Sequence, residues 1–141
     1  MHKNGGSGCE TRNMPLRNRT SLDPVAIAGL HELAARTIGG ADQMRQLVEL
    51  FLHDTAGRLD ELTAAVEAGD AMRVAALAHN LCGSCANLGA RDMAERCRDM
   101  EREANDGRVE AARLGPLVAA FDRAHAELRA EFLDTQRAAP Q

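Results

Sequence analysis

The sequence predicts an all-α protein, an antiparallel up-down four-helix bundle with an additional short N-terminal helix. Hydrophobic residues make up 45% of the 141 residues, and Ala and Leu dominate them. The scarcity of β-branched residues disfavours a sheet. Several segments repeat apolar residues at steps of three and four, with short connections between them, which is typical of a helical bundle. Trp and Tyr are absent and only three Phe occur, so the core is expected to be aliphatic.

The length suits one domain with little room for a second. Residues 1–21 are rich in Gly, Asn and Arg and lack an apolar period, so we expect a flexible N-terminal tail. The helical bundle is expected over residues 22–137, and a disordered C-terminus over 138–141. The initiating Met and the polar tail favour a protein that stands alone.

The first two helices have recognisable ends. Asp23 suits an N-cap and Pro24 a first helical position, so a helix is predicted from there to about Thr37, with Gly39-Gly40 ending it. A long second helix is predicted over about 41–68. Its apolar positions recur at three- and four-residue steps and comprise Met44, Leu47, Val48, Phe51, Leu52, Leu59, Leu62 and Val66.

Three further helices follow. Gly69-Asp70 closes the second helix and caps a third over about 71–88, and a fourth is predicted over about 90–104. Asn105-Asp106-Gly107 ends the fourth, and Gly115-Pro116 leaves the start of the last helix ambiguous. The residues expected to anchor the last helix are Leu114, Leu117, Val118, Phe121, Leu128 and Phe132.

Charge and hydropathy exclude several classes of function. The net charge of −4 provides no basic field for nucleic acid or anionic lipid, and no base-stacking pattern of aromatic residues and Arg is present. No apolar run approaches the ~18 residues of a membrane span, and the polar N-terminus lacks the apolar region of a secretory signal. We therefore expect a cytoplasmic protein whose four cysteines are reduced, without nucleic-acid or membrane partners.

The third helix carries one histidine in an unusual position. Its apolar stripe consists of Val74, Leu77, Ala78, Leu81, Cys85 and Leu88. His79 is turned about 150° from this stripe, on a face with Met72, Ala75, Ala76, Gly83 and Ala86. No Asp, Glu, Lys or Arg occurs from Val74 to Ala90, although a wet helix face normally carries charges. We interpret this face as an uncharged landing surface on which a partner could approach the imidazole.

The segment Ala78–Ala90, AHNLCGSCANLGA, resembles the signature of the histidine phosphotransfer (HPt) domains of multistep phosphorelays. That signature reads Ala-His-x-Leu-Lys-Gly-Ser-Ser/Ala-x-x-Leu-Gly-Ala. The positions in register with it are His79, Leu81, Gly83, Ser84, Leu88, Gly89 and Ala90. The flanking helices are also similar, so the resemblance extends over about residues 25–135.

The resemblance implies a four-helix bundle with His79 as the exposed phosphoryl acceptor, framed by Cys82, Gly83, Ser84 and Ala86. It implies phosphoryl exchange with aspartates of response-regulator receiver domains, and a hybrid histidine kinase upstream. In the family the receiver supplies Mg²⁺ and most of the catalytic groups. We therefore expect a phosphoryl carrier rather than an enzyme, with no cofactor or metal of its own.

One departure from the family pattern concerns charge. Cys82 occupies the position where the family usually has Lys, three residues after the histidine, and it brings no positive charge. The nearest cations in sequence, Arg73 and Arg91, lie at the two ends of the charge-free stretch.

Glu101 is a candidate to orient the imidazole. If the third and fourth helices reverse near Gly89, residues 99–101 lie at the depth of His79, and Glu101 can bond the distal ring nitrogen. The alternative is a solvated surface charge, which is the commoner fate of Glu.

Two rival functions remain open on the sequence. The first is a degenerate HPt-like regulator that docks a partner without transfer, which the missing Lys favours. The second is a zinc or thiol site built from His79, Cys82, Cys85 and Cys97. The position of the Cys-x-x-Cys pair inside a predicted helix disfavours it.

Overall fold

A computed structural model describes residues 21–134. The predicted flexible tail up to residue 20 and the predicted disordered C-terminus lie outside the described residues. Ser21, which the sequence analysis placed at the end of the tail, is buried, and its backbone N–H and Oγ donate to Glu127 Oε1 at 3.0 and 2.7 Å.

The described residues form five α-helices joined by short connections, and none of them forms a strand. The all-α prediction is confirmed. In chain order the helices are α1 (Pro24–Ala35), α2 (Gly40–Ala68), α3 (Ala71–Asn87), α4 (Arg91–Asn105) and α5 (Leu114–Leu128). A short 3₁₀ turn, Ala111–Arg113, precedes α5, and a π-helical turn, Arg129–Asp134, follows it.

Local sequence signals explain the helix ends. Asp23 caps α1 by accepting a hydrogen bond from the backbone N–H of Val25, with Pro24 at the first helical position. Asp70 caps α3 in the same way through the N–H of Arg73. Gly69 adopts a φ of +68° between α2 and α3, a conformation that side chains with a Cβ rarely adopt.

The core lies between the apolar stripes of the long helices. Its largest fully buried side chains include Val48, Leu62, Leu81, Met93, Leu117 and Leu128. Two predicted core positions differ, because the side chains of Leu47 and Val118 are exposed. Each lies next to a fully buried residue, so it falls at the border of its apolar stripe and not at its centre.

The N-terminal segment fixes the turn between α3 and α4. Gly89 has a φ of +74°, and a Cβ there would lie only 3.1 Å from Ala26 Cβ and 3.3 Å from Ile27 Cδ1. The Asp23 N–H donates to the carbonyl of Gly89 at 2.7 Å, and the Asp92 N–H donates to the carbonyl of Ser21 at 3.1 Å. The α3–α4 hairpin, which carries His79, is therefore held at its closed end by the start of α1.

Ion pairs join α4 to α5 and to the turn before it. Arg123 on α5 pairs with Asp92 at 2.7 Å, and Arg113 pairs with Glu103. The hydrogen bond and the positive charge of Arg113 hold the pKa of Glu103 below its usual range.

Candidate functional site

His79 projects outward from the middle of α3. The opposite face of α3 buries Val74, Leu77, Ala78, Leu81 and Cys85. The His79 side chain is 77% exposed. The imidazole therefore stands on the outer surface of the bundle, in the direction that the helical period predicts.

Glu101 on α4 contacts this imidazole. Its Oε2 lies 2.9 Å from His79 Nδ1, and the glutamate side chain is only 25% exposed. Nδ1 is the ring nitrogen nearer the backbone, so the expectation that Glu101 bonds the distal nitrogen was wrong. An ionised carboxylate accepts hydrogen bonds and cannot donate them, so Nδ1 carries the proton in this pair. The lone pair of the neutral ring is then on Nε2, which makes Nε2 the nucleophilic atom.

The residues of α3 that surround His79 are uncharged, and most of them are small. Met72, Ala76, Gly83 and Ala86 are exposed on the same side of α3. A Cβ added to Gly83 would meet no atom within 4 Å, so packing within the described chain does not require glycine there. A glycine inside a helix costs about 1 kcal/mol relative to alanine. The open space next to His79 therefore suits close approach by another molecule.

A shallow depression lies on the α2 side of this surface. Ser84 and Asn87 of α3 line it together with Leu47, Leu50 and Arg58 of α2. Ser84 thus belongs to the groove between α2 and α3. The depression combines exposed leucines with one cation, Arg58, and one anion, Asp54.

A second depression lies on the α4 side. Ala86 lines it together with Arg91, Glu95 and Arg98, close to the α3–α4 turn. Two of the predicted framing residues, Ser84 and Ala86, therefore lie on opposite flanks of the histidine surface and in separate depressions.

The three cysteines within residues 21–134 differ in burial. Cys82 is half-buried and packs against the core. Cys85 is buried with its Sγ 3.7 Å from Met93 Sδ. Its hydrogen bond with Cys97, together with burial, raises the pKa of the Cys97 thiol. Within residues 21–134 no group of three or more His, Cys, Asp or Glu side chains is arranged to hold a metal ion.

The arginines beside α3 include two that the sequence analysis did not single out. Arg73, one of the two expected cations, is engaged with Glu61 at 3.8 Å. Arg91 lines the α4-side depression, and the structure adds Arg98 there and Arg58 on the α2 side. Arg98 lies three residues before Glu101 on one face of a predicted helix, so this spacing was the signal that could have identified it.

No helix within the described part of the chain has the length and apolar character needed to cross a membrane.

The comparisons with known proteins agree with this geometry. The chain is similar to the crystal structure of histidine-containing phosphotransfer protein B (HptB) from Pseudomonas aeruginosa PAO1, with a TM-score of 0.72 and 28% sequence identity over 83% of this chain and 96% of that one. Among curated proteins no match was found. The family model described as the Hpt domain matches residues 46–135, which include α3, His79 and Glu101. The chain therefore belongs to the Hpt domain family and is a histidine phosphotransfer protein of phosphorelays.

Proposed function

We propose that His79 is the phosphoryl acceptor, and that it exchanges the group with phosphorylated aspartates of response-regulator receiver domains. The observation that carries this proposal is the exposed imidazole whose Nδ1 is bonded to Glu101, which leaves Nε2 free. The uncharged α3 residues around the imidazole, with open space at Gly83, support close approach by a partner.

The chemistry follows from this arrangement. The Nε2 lone pair attacks phosphorus of the aspartyl phosphate, the bond from phosphorus to the aspartate oxygen breaks, and the aspartate leaves as a carboxylate. The imidazole gains a bond to phosphorus and a positive charge, because Nδ1 keeps its proton. Glu101 Oε2, 2.9 Å from Nδ1, stabilises that charge. Transfer back to an aspartate is the reverse of this step.

The division of labour between the partners is part of the proposal. Positioning and charge neutralisation account for most of the catalysis of phosphoryl transfer. We assign Mg²⁺ and most catalytic groups to the receiver domain, so that this chain acts as a carrier without its own cofactor. A hybrid histidine kinase is the proposed upstream source. We place the exchange in the cytoplasm, and the free thiols of Cys82, Cys85 and Cys97 suit a reducing compartment.

A docking-only regulator is the second candidate function. The observation that favours it is Cys82, since α3 itself offers no cation next to the phosphoryl position. In this case a receiver would bind the surface around His79 without losing its phosphoryl group to it.

Phosphoryl transfer from a panel of phosphorylated receiver domains separates the two candidates, with His79→Gln as the matched variant. We expect an acid-labile, base-stable label on the wild type and none on the variant. Because His79 is 77% exposed, the substitution should change the free energy of unfolding by less than about 0.5 kcal/mol. Binding of a receiver without any label would establish the docking regulator instead. If the wild type showed neither a label nor binding to any receiver, both candidate functions would be rejected.

A further inference from the structure

The register between α3 and α4 places one arginine about one helical turn from the level of His79. Glu101 meets His79 across this antiparallel pair. One turn onward along α3 is Cys82, and one turn back along α4 is Arg98. Arg98 therefore lies level with Cys82 and on the same face of α4 as Glu101.

Arg98 is exposed and, within residues 21–134, forms no ion pair, unlike the neighbouring arginines of α4. Arg96 pairs with Asp92 at 3.2 Å, and Arg102 pairs with Asp99. Within residues 21–134 the arginines that form no ion pair are Arg36, Arg58, Arg91 and Arg98. All of these except Arg36 line the depressions beside α3.

A phosphoryl group on His79 needs such a cation. That group would lie near the Glu101 carboxylate. A second carboxylate, Glu95, lines the same depression as Arg98. From Val74 to Ala90, α3 and its turn provide no positive side chain. A guanidinium suits this task because it donates several hydrogen bonds to phosphoryl oxygens and stays charged.

We propose that Arg98 is a phosphoryl-binding residue of the relay, pairing through its guanidinium with the phosphoryl group on His79 Nε2. This inference rests on the proposed role of His79. The pairing moves no proton and breaks no bond, and it stabilises the phosphorylated state relative to the free one. Arg58 is the alternative cation on the α2 side. Its depression is lined by Ser84 and Asn87 of α3 and by no residue of α4, the helix that carries Glu101.

The test is the equilibrium partition of the phosphoryl group between this protein and a receiver domain that labels the wild type on His79. Partition between two free proteins does not depend on how tightly they dock, so it isolates the stability of the phosphorylated state. Arg98→Gln should lower the equilibrium constant about five- to tenfold, as expected for one partly exposed charge-assisted hydrogen bond. Arg102→Gln, the matched control on the adjacent turn, should leave it within about twofold of wild type.

A second substitution tests whether charge is the cause. Cys82→Lys in the Arg98→Gln background places an ammonium group at the same level from α3, and it should restore most of the lost partition. A purely structural role of Arg98 would not be rescued in this way.

Each other outcome overturns the inference. These outcomes are an unchanged partition in Arg98→Gln, an equal loss in Arg102→Gln, a loss that appears only in Arg58→Gln, or a loss that Cys82→Lys does not restore. In all four the wild type still carries its label, so the proposed function stands. A wild type without label rejects the proposed function and this inference together.

Discussion

Replacement of Glu101 by alanine tests how the bundle activates its histidine. The carboxylate accepts a hydrogen bond from Nδ1 at 2.9 Å. In the proposed transfer, the ring gains a positive charge as Nε2 bonds to phosphorus. We expect Glu101→Ala to slow transfer to and from the receiver while leaving receiver binding close to wild type.

The magnitude follows from the distance and the exposure of the pair. Two unit charges about 4 Å apart attract by about 1 kcal/mol in water and about 4 kcal/mol at the effective dielectric constant of a protein surface. With His79 77% and Glu101 25% exposed, the pair lies towards the weaker limit. A loss of about 1–2 kcal/mol from the transition state corresponds to about a five- to thirtyfold slower transfer.

Rapid-quench measurement of the transfer rate at saturating receiver gives this number directly. Glu101→Gln keeps a hydrogen-bond acceptor without the charge, so its loss should lie between wild type and Glu101→Ala. Glu67→Ala, at an exposed glutamate near the end of α2, is the control for the loss of a surface carboxylate. The free energy of unfolding should fall by less than about 1 kcal/mol in Glu101→Ala, because surface pairs contribute little. Transfer at the wild-type rate in Glu101→Ala would refute the proposed role of this carboxylate.

Three further predictions concern the helix glycines, the reactivity of a buried thiol and the pH dependence of stability. Gly83→Ala and Gly57→Ala should each stabilise the fold by about 0.5–1 kcal/mol, since a Cβ meets no atom at either site. Only Gly83→Ala should slow phosphoryl transfer, and equal transfer rates in the two variants would contradict the open approach surface beside His79. The raised pKa of Cys97 predicts that iodoacetamide at pH 8 leaves it unmodified in the native protein and labels it in denaturant; rapid native labelling would contradict this. Because Arg113 lowers the pKa of Glu103, their pair stabilises the fold above the ordinary glutamate pKa of about 4.3 and loses this effect as pH falls through the lowered value. Denaturant titrations should therefore show Glu103→Gln to be less stable than wild type at pH 7, with the difference vanishing in acid, and a difference constant with pH would argue against the pair.

The sequence predicts most of the fold because its signals are local. The Asp23 cap, the left-handed Gly69 and the buried stripe of α3 each depend on residues within a few turns of one another. The exposed position of Leu47 could not be predicted, because the border of an apolar stripe depends on where the neighbouring helices lie. The π-helical turn after α5 was also missed; there Leu128 and Leu133 are both buried at a five-residue step.

The candidate site divides along the same line. The outward position of His79 and its small neighbours can be predicted from the period of one helix. The position of Arg98 relative to His79 depends on the register between two helices. The approximate match of Glu101 to His79 followed from where the hairpin reverses. The three-residue spacing of Arg98 and Glu101 is a sequence signal, but the structure was needed to place Arg98 in a depression beside α3.

The α3–α4 turn therefore has a functional consequence. The proposed phosphoryl acceptor, His79, is on α3, and the two groups proposed to stabilise its charged states, Glu101 and Arg98, are on α4. A sliding of one helix by a single residue would move both by about 1.5 Å along the axis and rotate them by about 100°. Two features of Gly89, which has a left-handed backbone conformation, oppose that sliding. A Cβ at this position would lie 3.1 Å from Ala26 Cβ, and the Gly89 carbonyl accepts a hydrogen bond from the N–H of Asp23. We therefore expect the additional N-terminal helix to support the proposed chemistry through its contacts with the α3–α4 turn, because these contacts fix the register on which the proposed roles of Glu101 and Arg98 depend.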